Sequence, residues 1–341
     1  CSAARSTLIH GAYGLQFGIH HHRSAHKVPQ TIKPYPLFFR EAGYYVTNNS
    51  KEDYNLIDDQ DCWDESSRQA HYKNRKTGQP FFAIFNFVES HESRTFPGDV
   101  KKKRANGVYP MKSRLDPSEV KLPEYHPDNQ DIRQEWADYY DAMTNMDKEV
   151  GKRLLELEGY GLLENTIVVY YADHGGAMAR GKRSIKDSGT KVPLLVYFPE
   201  KWKHLAPAKP GETEDRMVSF VDFPATMLSL IGAEVPDQMD GNPFLGSKDK
   251  GERDYVFLYR GRMDARYDMV RAIRTDEFRY VVNYTNYRPN GQPYNYADRA
   301  RTTPVWRKAW QDGECNDAQS QYWELKPGEE LYHPASDPDE V

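Results

Sequence analysis

Apolar and polar positions divide this chain into two textures. Up to about residue 231, short apolar runs alternate with longer segments in which apolar residues recur every three or four positions. Residues 34–42 carry Pro36 where a first helical turn would lie and are followed by Gly43 where a helix would stop. Residues 44–47 read as a strand running into the polar loop 48–53. Residues 81–88 are almost continuously apolar, as expected of a strand covered on both faces. Between residues 131 and 157, Trp136, Tyr140, Met143, Val150, Leu154 and Leu157 keep helical spacing broken only at Asp147, and Gly159 and Gly161 close the segment. Residues 166–171 and 191–198 are two further apolar strands, and 222–231 reads as an amphipathic helix. Strand and helix in alternation predict an α/β fold, a mostly parallel sheet between helices.

From residue 255 the texture changes. Residues 255–259, 269–274 and 278–284 are short strand-like runs, the clearest turn being Thr275-Asp276-Glu277. They predict an antiparallel meander and a division into a main domain, 1–250, and a small C-terminal subdomain, 251–341. Residues 95–130 and 285–327 are polar, contain Pro and Asn, and are expected as long loops of the kind that carry function.

Each buried run ends in ionisable residues, and ligands of such sheets collect at the carboxyl ends of the strands. Asp173 and His174, followed by two glycines, suit a divalent cation, although the same residues also build ordinary turns. His91 after the second strand reads equally as a structural hydrogen bonder, and Lys51 after the first as a solvated cation.

Composition narrows the class. The 341 residues are 38% hydrophobic and 28% charged, and mean hydropathy is −0.86. No apolar run approaches the roughly 18 residues that span a bilayer, so no membrane partner is expected. Forty-six basic residues against 51 acidic ones give a net charge of −5, which argues against a nucleic-acid partner. His10, His20, His21, His22 and His26 crowd the first 26 residues beside Arg5, Arg23 and Lys27. They form either a solvated basic loop or a wall for an anion. Cys1, Cys62 and Cys315 have neither zinc nor redox spacing and leave the redox compartment open.

The chain opens Cys1-Ser2-Ala3-Ala4-Arg5, followed by an apolar stretch closed by Gly11. Taken alone, this also describes a buried cysteine ahead of a helix. It resembles the Cys-x-Pro/Ala-x-Arg signature of type I sulfatases, in which the cysteine is oxidised to formylglycine. The remaining blocks follow in that family's order: Gly43-Tyr44 leading to Lys51, then His91, the helix with Tyr140, Asp147 and Gly151, and Asp173-His174-Gly175. Gly181-Lys182 running to Lys191-Val192-Pro193, residues 218–226, and a final Glu330-Leu331-Tyr332 segment complete the match.

The resemblance implies an alkaline-phosphatase-like fold and hydrolysis of a sulfated carbohydrate, as an ester or an N-sulfate. It implies Cys1 as nucleophile after maturation by a formylglycine-generating enzyme. Arg5 and Lys51 would lie against the diol, and His91 and Lys182 on sulfate oxygens, with His91 as proton donor to the leaving group. Asp173 and His174 would hold part of a calcium shell, magnesium being the other candidate. His20, His22, Arg23, Arg262 and Arg266 are the candidate substrate contacts, Arg262 and Arg266 reading equally as salt bridges that pin the C-terminal subdomain to the main domain. A periplasmic or secreted location is expected, with any signal peptide upstream. Lys-x-His reads Lys51-Glu52-Asp53 here, Pro-His-x-Pro reads Ser90-His91-Glu92-Ser93, and the family's Asp-Asp metal pair belongs on a strand upstream of Cys1. The polypeptide as it stands is therefore expected to bind metal weakly. A phosphomonoester or phosphonate-monoester hydrolase of the same superfamily and a non-catalytic carbohydrate-binding relative are the competing readings.

Overall fold

The computed structural model describes residues 1–57 and 61–341. Helix α1 (Ser2–His10) starts directly after Cys1, which is its N-cap. Helix α2 (Tyr35–Glu41) has Pro36 in its first turn, where a missing N–H costs nothing. It leads into strand β1 (Tyr45–Asn49), the centre of a three-stranded parallel sheet with β2 (Glu65–Ser66) and β3 (Phe81–Phe85) on its two sides. Tyr45 pairs with Phe81 and Asn49 with Phe85, so β1 and β3 end level and release their loops at one edge. Phe39, Val46 and Leu228 form the buried core beneath, with the Phe39 and Phe82 rings 4.5 Å apart.

Residues 95–130 are more ordered than a loop. They contain α3 (Pro97–Ala105), whose last turn carries Lys102, Lys103 and Arg104 at the negative end of the helix dipole. Val100 is its one buried residue, so no apolar stripe announced it. Helix α4 (Gln130–Gly159) follows, capped by the Asn129 side chain on the Asp131 N–H. Its buried face includes Glu135, Asp138 and Asp141, each hydrogen-bonded from outside the helix, Asp141 through Oδ1 alone. Arg104 reaches Asp138 at 2.6 Å, Arg114 reaches Asp141 at 2.8 Å, and the Thr302 N–H donates to Glu135 at 2.6 Å. Buried acids in this setting persist because their hydrogen bonds are made.

Strand β4 (Val168–Tyr171) is joined through the one-turn helix α5 (Asp187–Thr190) to β5 (Leu194–Tyr197). This pair is antiparallel, Tyr171 against Leu194, and is not hydrogen-bonded to the β1–β3 sheet. The alternation of elements suggested a parallel partner. The intervening chain has no crossover helix long enough to carry β5 back in the same direction. Helix α6 (Asp222–Leu230) is buried at every residue but Leu230 and is a core helix rather than a surface one.

Strands β6 (Val256–Arg260), β7 (Val270–Arg274) and β8 (Arg279–Asn283) form the expected meander. Helices α7 (Thr302–Gln311) and α8 (Asp317–Ser320) lie in the second long polar stretch, and β9 (Glu329–Tyr332) adds a fourth strand beside β8. Trp306 on α7 is fully buried against Tyr125, Ile132 and Trp323, stacked on Tyr322 at 4.7 Å. The C-terminal sheet is equally interlocked with the segment before β5. Ile185 packs among Val270, Ala272 and Val281. Arg279 donates to the Ile185 carbonyl at 2.7 Å and pairs with Asp187 and Glu340. Cys62 belongs to the core under α2, whereas Cys315 lies against the tryptophan cluster.

His126 shows how the α4 side of the fold constrains protonation. Trp136 Nε1, which only donates, points at His126 Nδ1 at 3.1 Å. The other ring nitrogen donates to the Ala179 carbonyl at 3.0 Å. Burial lowers its pKa to about 3. The unfolded chain therefore takes up a proton as pH falls below 6.5 while the folded protein does not, which favours unfolding. Stability from His126 is complete above pH 6.5 and is lost toward pH 3, at about 1.4 kcal/mol per pH unit for one proton. Thermal melts between pH 7.5 and 4 will show a falling Tm, and His126→Gln will make the decline shallower.

Candidate active site

Four chain segments converge at the carboxyl ends of β1, β3 and β4. The start of α1 brings Cys1 and Arg5; the loop after β1 brings Lys51. Cys1 Sγ lies 3.2 Å from His174 Nε2. His174 Nδ1 lies 2.8 Å from the Gly175 carbonyl, an acceptor only. Nδ1 therefore carries the hydrogen, and the Nε2 lone pair faces the thiol. One Asp173 oxygen is 3.5 Å from the same Nε2. The other is 3.5 Å from Lys51 Nζ and 3.9 Å from Arg5. Burial pushes the Asp173 carboxyl up, but nearby positive charge, Lys51 and Arg5 among it, prevails and holds it well below the usual carboxylate range.

Arg5 does more than face Asp173. Its guanidinium donates to the Lys51 carbonyl, to the Glu52 carbonyl at 2.7 Å and to Asn86 Oδ1 at 2.9 Å. The Asn86 amide in turn donates to Asn48 Oδ1 at 2.8 Å. One side chain on α1 thus ties the ends of β1 and β3 together.

The loop after β4 folds back on itself, and glycine makes that possible. A Cβ on Gly175 would stand 2.2 Å from the Ser188 carbonyl oxygen, and one on Gly181 would stand 2.3 Å from that of Gly176. The Lys182 N–H closes the turn on the Gly176 carbonyl at 2.6 Å. Lys182 is buried, 3.8 Å from the buried carboxylate of Glu92. Arg183 grips the same carboxylate with two hydrogen bonds of 2.9 and 2.7 Å. Burial lowers the Lys182 pKa despite Glu92.

His91 precedes Glu92. Its Nδ1 accepts from the Ser93 N–H at 3.3 Å, which leaves the hydrogen on Nε2. Burial, then Lys182 and Lys51, lowers its pKa to about 4. His174 is lowered to about 3, burial outweighing Asp173. Both are neutral at pH 7.

The other sequence candidates divide. Cys1, His20, His22, Asp173, His174, Lys182 and Arg262 line one open cleft of about 2590 Å³. His22 is buried, 2.8 Å from Ser2 Oγ and 3.4 Å from Asp264, and burial lowers His20 and His22 to about 4 each. Arg262 donates to the His22 and Asp264 carbonyls at 2.8 and 2.7 Å, so it pins the histidine loop to the loop after β6. Arg23 is exposed at a positive φ of 52°. Arg266 lies apart from Cys1, against a side pocket beyond Lys182.

Asn86 and Glu92 are the two site residues that sequence reasoning passed over. Asn86 had a signal, an amide interrupting an aromatic run at a strand end. Glu92 had none, because its partners lie 91 residues away.

Cys1 Sγ, an Asp173 oxygen and a His174 nitrogen all lie within 4.8 Å of one another, the one such group of potential metal ligands among the described residues. A thiol, a carboxylate–imidazole pair and several cations thus meet in one place, a setting whose donors and charges suit an anionic group. The family model described as Sulfatase matches residues 33–233, and the model for the N-sulphoglucosamine sulphohydrolase C-terminal region matches residues 177–301. This chain belongs to the sulfatase family.

Among its relatives, an ulvan-active sulfatase of Formosa agariphila is 34% identical over 380 aligned residues, covering 100% of this chain and 63% of the relative. The N-sulphoglucosamine sulphohydrolase of Homo sapiens is 26% identical over 271, covering 69% of this chain and 52% of the relative. This chain therefore spans less than two thirds of the length of either. The fold matches that of a protein solved in complex with its substrate D-glucosamine-2-N,6-O-disulfate, at a TM-score of 0.67, 17% identity, and coverage of 99% of this chain and 82% of that one.

The charge arrangement is testable directly. In a histidine NMR titration His91 will titrate near pH 4 rather than near 6.5. Lys182→Met, by removing one of the cations that disfavour imidazolium, will raise that midpoint.

Proposed function

We propose that this protein removes sulfate from a sulfated carbohydrate outside the cytoplasm, in the periplasm or after secretion, with a formylglycine made from Cys1 by a maturation enzyme. The reading is carried by the grouping of Cys1, Asp173 and His174 within 4.8 Å at the ends of the strands. Here Cys1 Sγ stands where an oxygen of the hydrated aldehyde would be. One geminal hydroxyl attacks sulfur and the bond from sulfur to the sugar breaks, S–O in an ester or S–N in an N-sulfate, the sugar oxygen or nitrogen taking up a proton. The second hydroxyl then loses its proton, the carbon–oxygen bond to sulfate breaks, the aldehyde re-forms, and water restores the diol. Serine has no second hydroxyl for that release.

Each neighbouring side chain has a role in this sequence. Arg5 and Lys51 stabilise the ionised diol oxygen, and Lys182 binds a sulfate oxygen. His91, whose Nε2 carries the hydrogen, donates a hydrogen bond to the sulfate, and the leaving group takes its proton from the imidazolium form of His91 or from water. His20 and His22 form part of the wall toward the sugar, with Arg23 and Arg262 at its edge.

The residues also fit a divalent cation in part. Asp173 Oδ2 is buried without a hydrogen-bond partner, and the His174 Nε2 lone pair points into the same space. Calcium or magnesium held by Asp173 and His174 would supply a lower pKa for the nucleophile and neutralisation of sulfate charge. Two protein ligands are fewer than calcium's usual six to eight, and an imidazole is not its preferred donor. We place the remaining ligands on a strand upstream of Cys1. The separation of β4 from the β1–β3 sheet and the half-buried apolar residues of β3 and β4 support that placement.

Sulfate release from sulfated oligosaccharides by the matured full-length protein is the test, with phosphate release from phosphomonoesters measured alongside. Sulfate will be the product, and mass spectrometry will find the Cys1 peptide lighter by about 18 Da. Cys1→Ser will lower turnover by at least about a thousandfold. Faster phosphate release would instead favour the phosphohydrolase reading. Asn86→Ala, which strips Arg5 of its side-chain acceptor without touching the nucleophile, will lower kcat/KM by about tenfold, the scale seen for supporting hydrogen bonds around reactive groups.

A further inference from the structure

Cys1 caps α1 without a side-chain hydrogen bond, so its own side chain does not fix the start of the helix. Ser2 does. It is buried, and its hydroxyl oxygen accepts the Arg23 N–H at 3.0 Å and lies 2.8 Å from His22 Nδ1. Its carbonyl accepts from the Ser6 hydroxyl at 2.8 Å, and the Ser6 oxygen accepts the Asn55 N–H at 2.8 Å. The residue next to Cys1 is thus tied both to the histidine loop and to the loop after β1.

The far side of His22 is set by the C-terminal subdomain. Between β6 and β7, Met263 and Arg266 exchange backbone hydrogen bonds of 2.8 and 2.9 Å across a closed two-residue turn. Asp264 stands at its tip in left-handed backbone, φ 49°, which aspartate adopts more readily than most residues. Its carboxylate faces His22 Nε2 at 3.4 Å. A carboxylate only accepts, so Nε2 carries the hydrogen and Nδ1 keeps its lone pair for the Ser2 hydroxyl proton. The backbones lock alongside. The His22 N–H donates to the Arg262 carbonyl at 2.9 Å, and the Arg262 N–H donates to His21 Nδ1 at 2.9 Å. His22 lines the cleft, whereas Ser2 and Asp264 are not among the residues lining it.

We infer that Asp264 positions the nucleophile: acting through His22 and the Ser2 hydroxyl, it holds residue 1 in the pose from which the diol attacks sulfur. The inference rests on the sulfatase reading and adds to it a contribution from the C-terminal subdomain. Asp264 is a positioning residue, because it reaches residue 1 only through two intervening side chains. Without its carboxylate the imidazole is free to turn or to change tautomer, and the Ser2 hydroxyl loses a fixed acceptor. The first turn of α1 can then shift. A displacement of about an ångström at a reacting atom slows a reaction by about a hundredfold, so a partial release costs less than that.

The experiment measures sulfate release by the matured full-length enzyme carrying Asp264→Ala, Ser2→Ala or both. Each single variant will lower kcat about tenfold with KM unchanged. The double variant will be no slower than the singles, because both substitutions cut the same chain of contacts. Asp264→Asn keeps the shape of the side chain, guards against a failure to fold, and will show a smaller loss of the same kind. Unchanged kcat in both Asp264 variants overturns the inference. So do losses that multiply in the double variant, or a rise in KM with kcat intact, which would place Asp264 on the substrate. If the wild type releases no sulfate, the sulfatase reading fails on its own account. NMR of the unmatured full-length protein then decides the positioning role: a Cys1 Cβ signal that moves on Asp264→Ala supports it, and an unmoved signal overturns it.

Discussion

The guanidinium of Arg5 is the constraint on which the site depends. A helix, two parallel strands and their loops meet at one point, and each strand end leaves backbone carbonyls that the ladder no longer satisfies. Arg5 supplies those carbonyls with donors from a single planar group while facing Asp173. Asn86 completes the clamp by accepting from Arg5 and donating to Asn48. The position of Cys1 and the positions of the charges around it are therefore one geometric fact. Lysine in place of Arg5 would keep the charge but lose the fork that joins the three acceptors.

Charge in the site is asymmetric by design of the backbone. Asp173 faces Arg5 and Lys51 without hydrogen-bonding either through its inner oxygen. Lys182 and Arg183, by contrast, are anchored to Glu92 and cannot swing toward Asp173. Lys182 and Arg183 are thus paired with Glu92 rather than with Asp173, while Lys51 is shared between Asp53 at 3.6 Å and Asp173 at 3.5 Å. The neutral histidines fit this picture, because a burial that disfavours added positive charge keeps His91 and His174 as directional hydrogen-bonding groups.

Much of this was legible in the chain. Helical periodicity over 131–157 and 222–231, and the Pro36 and Gly43 signals around 34–42, placed α4, α6 and α2 within a few residues. Apolar runs located β1, β3, β4 and β5, and the ionisable residues at their ends marked the site. Other features were hidden for physical reasons. Helix α3 buries only Val100, so it has no stripe to detect. In α7 the spacing of Val305, Trp306, Ala309 and Trp310 was a readable signal, masked by its polar surroundings. Strand direction in β5 depends on what the connection does in space rather than on its composition. The Glu92 pairings are long-range contacts that no local pattern encodes, and Arg262 proved to be a fastener because its partners are backbone carbonyls.

The clasp around residues 185–187 carries a wider implication. Ile185 sits in the hydrophobic face of the C-terminal sheet, Lys186 donates to the Tyr332 hydroxyl and the Glu340 carbonyl, and Asp187 meets Arg279. Lys182 and Arg183 stand a few residues upstream on the same loop. Local opening of that loop would require the terminal sheet to let go as well, so Lys182 shares the opening free energy of a region far along the chain. In this sense the C-terminal strands are the ballast of the Lys182 loop, holding in place a turn whose own glycines leave its backbone free.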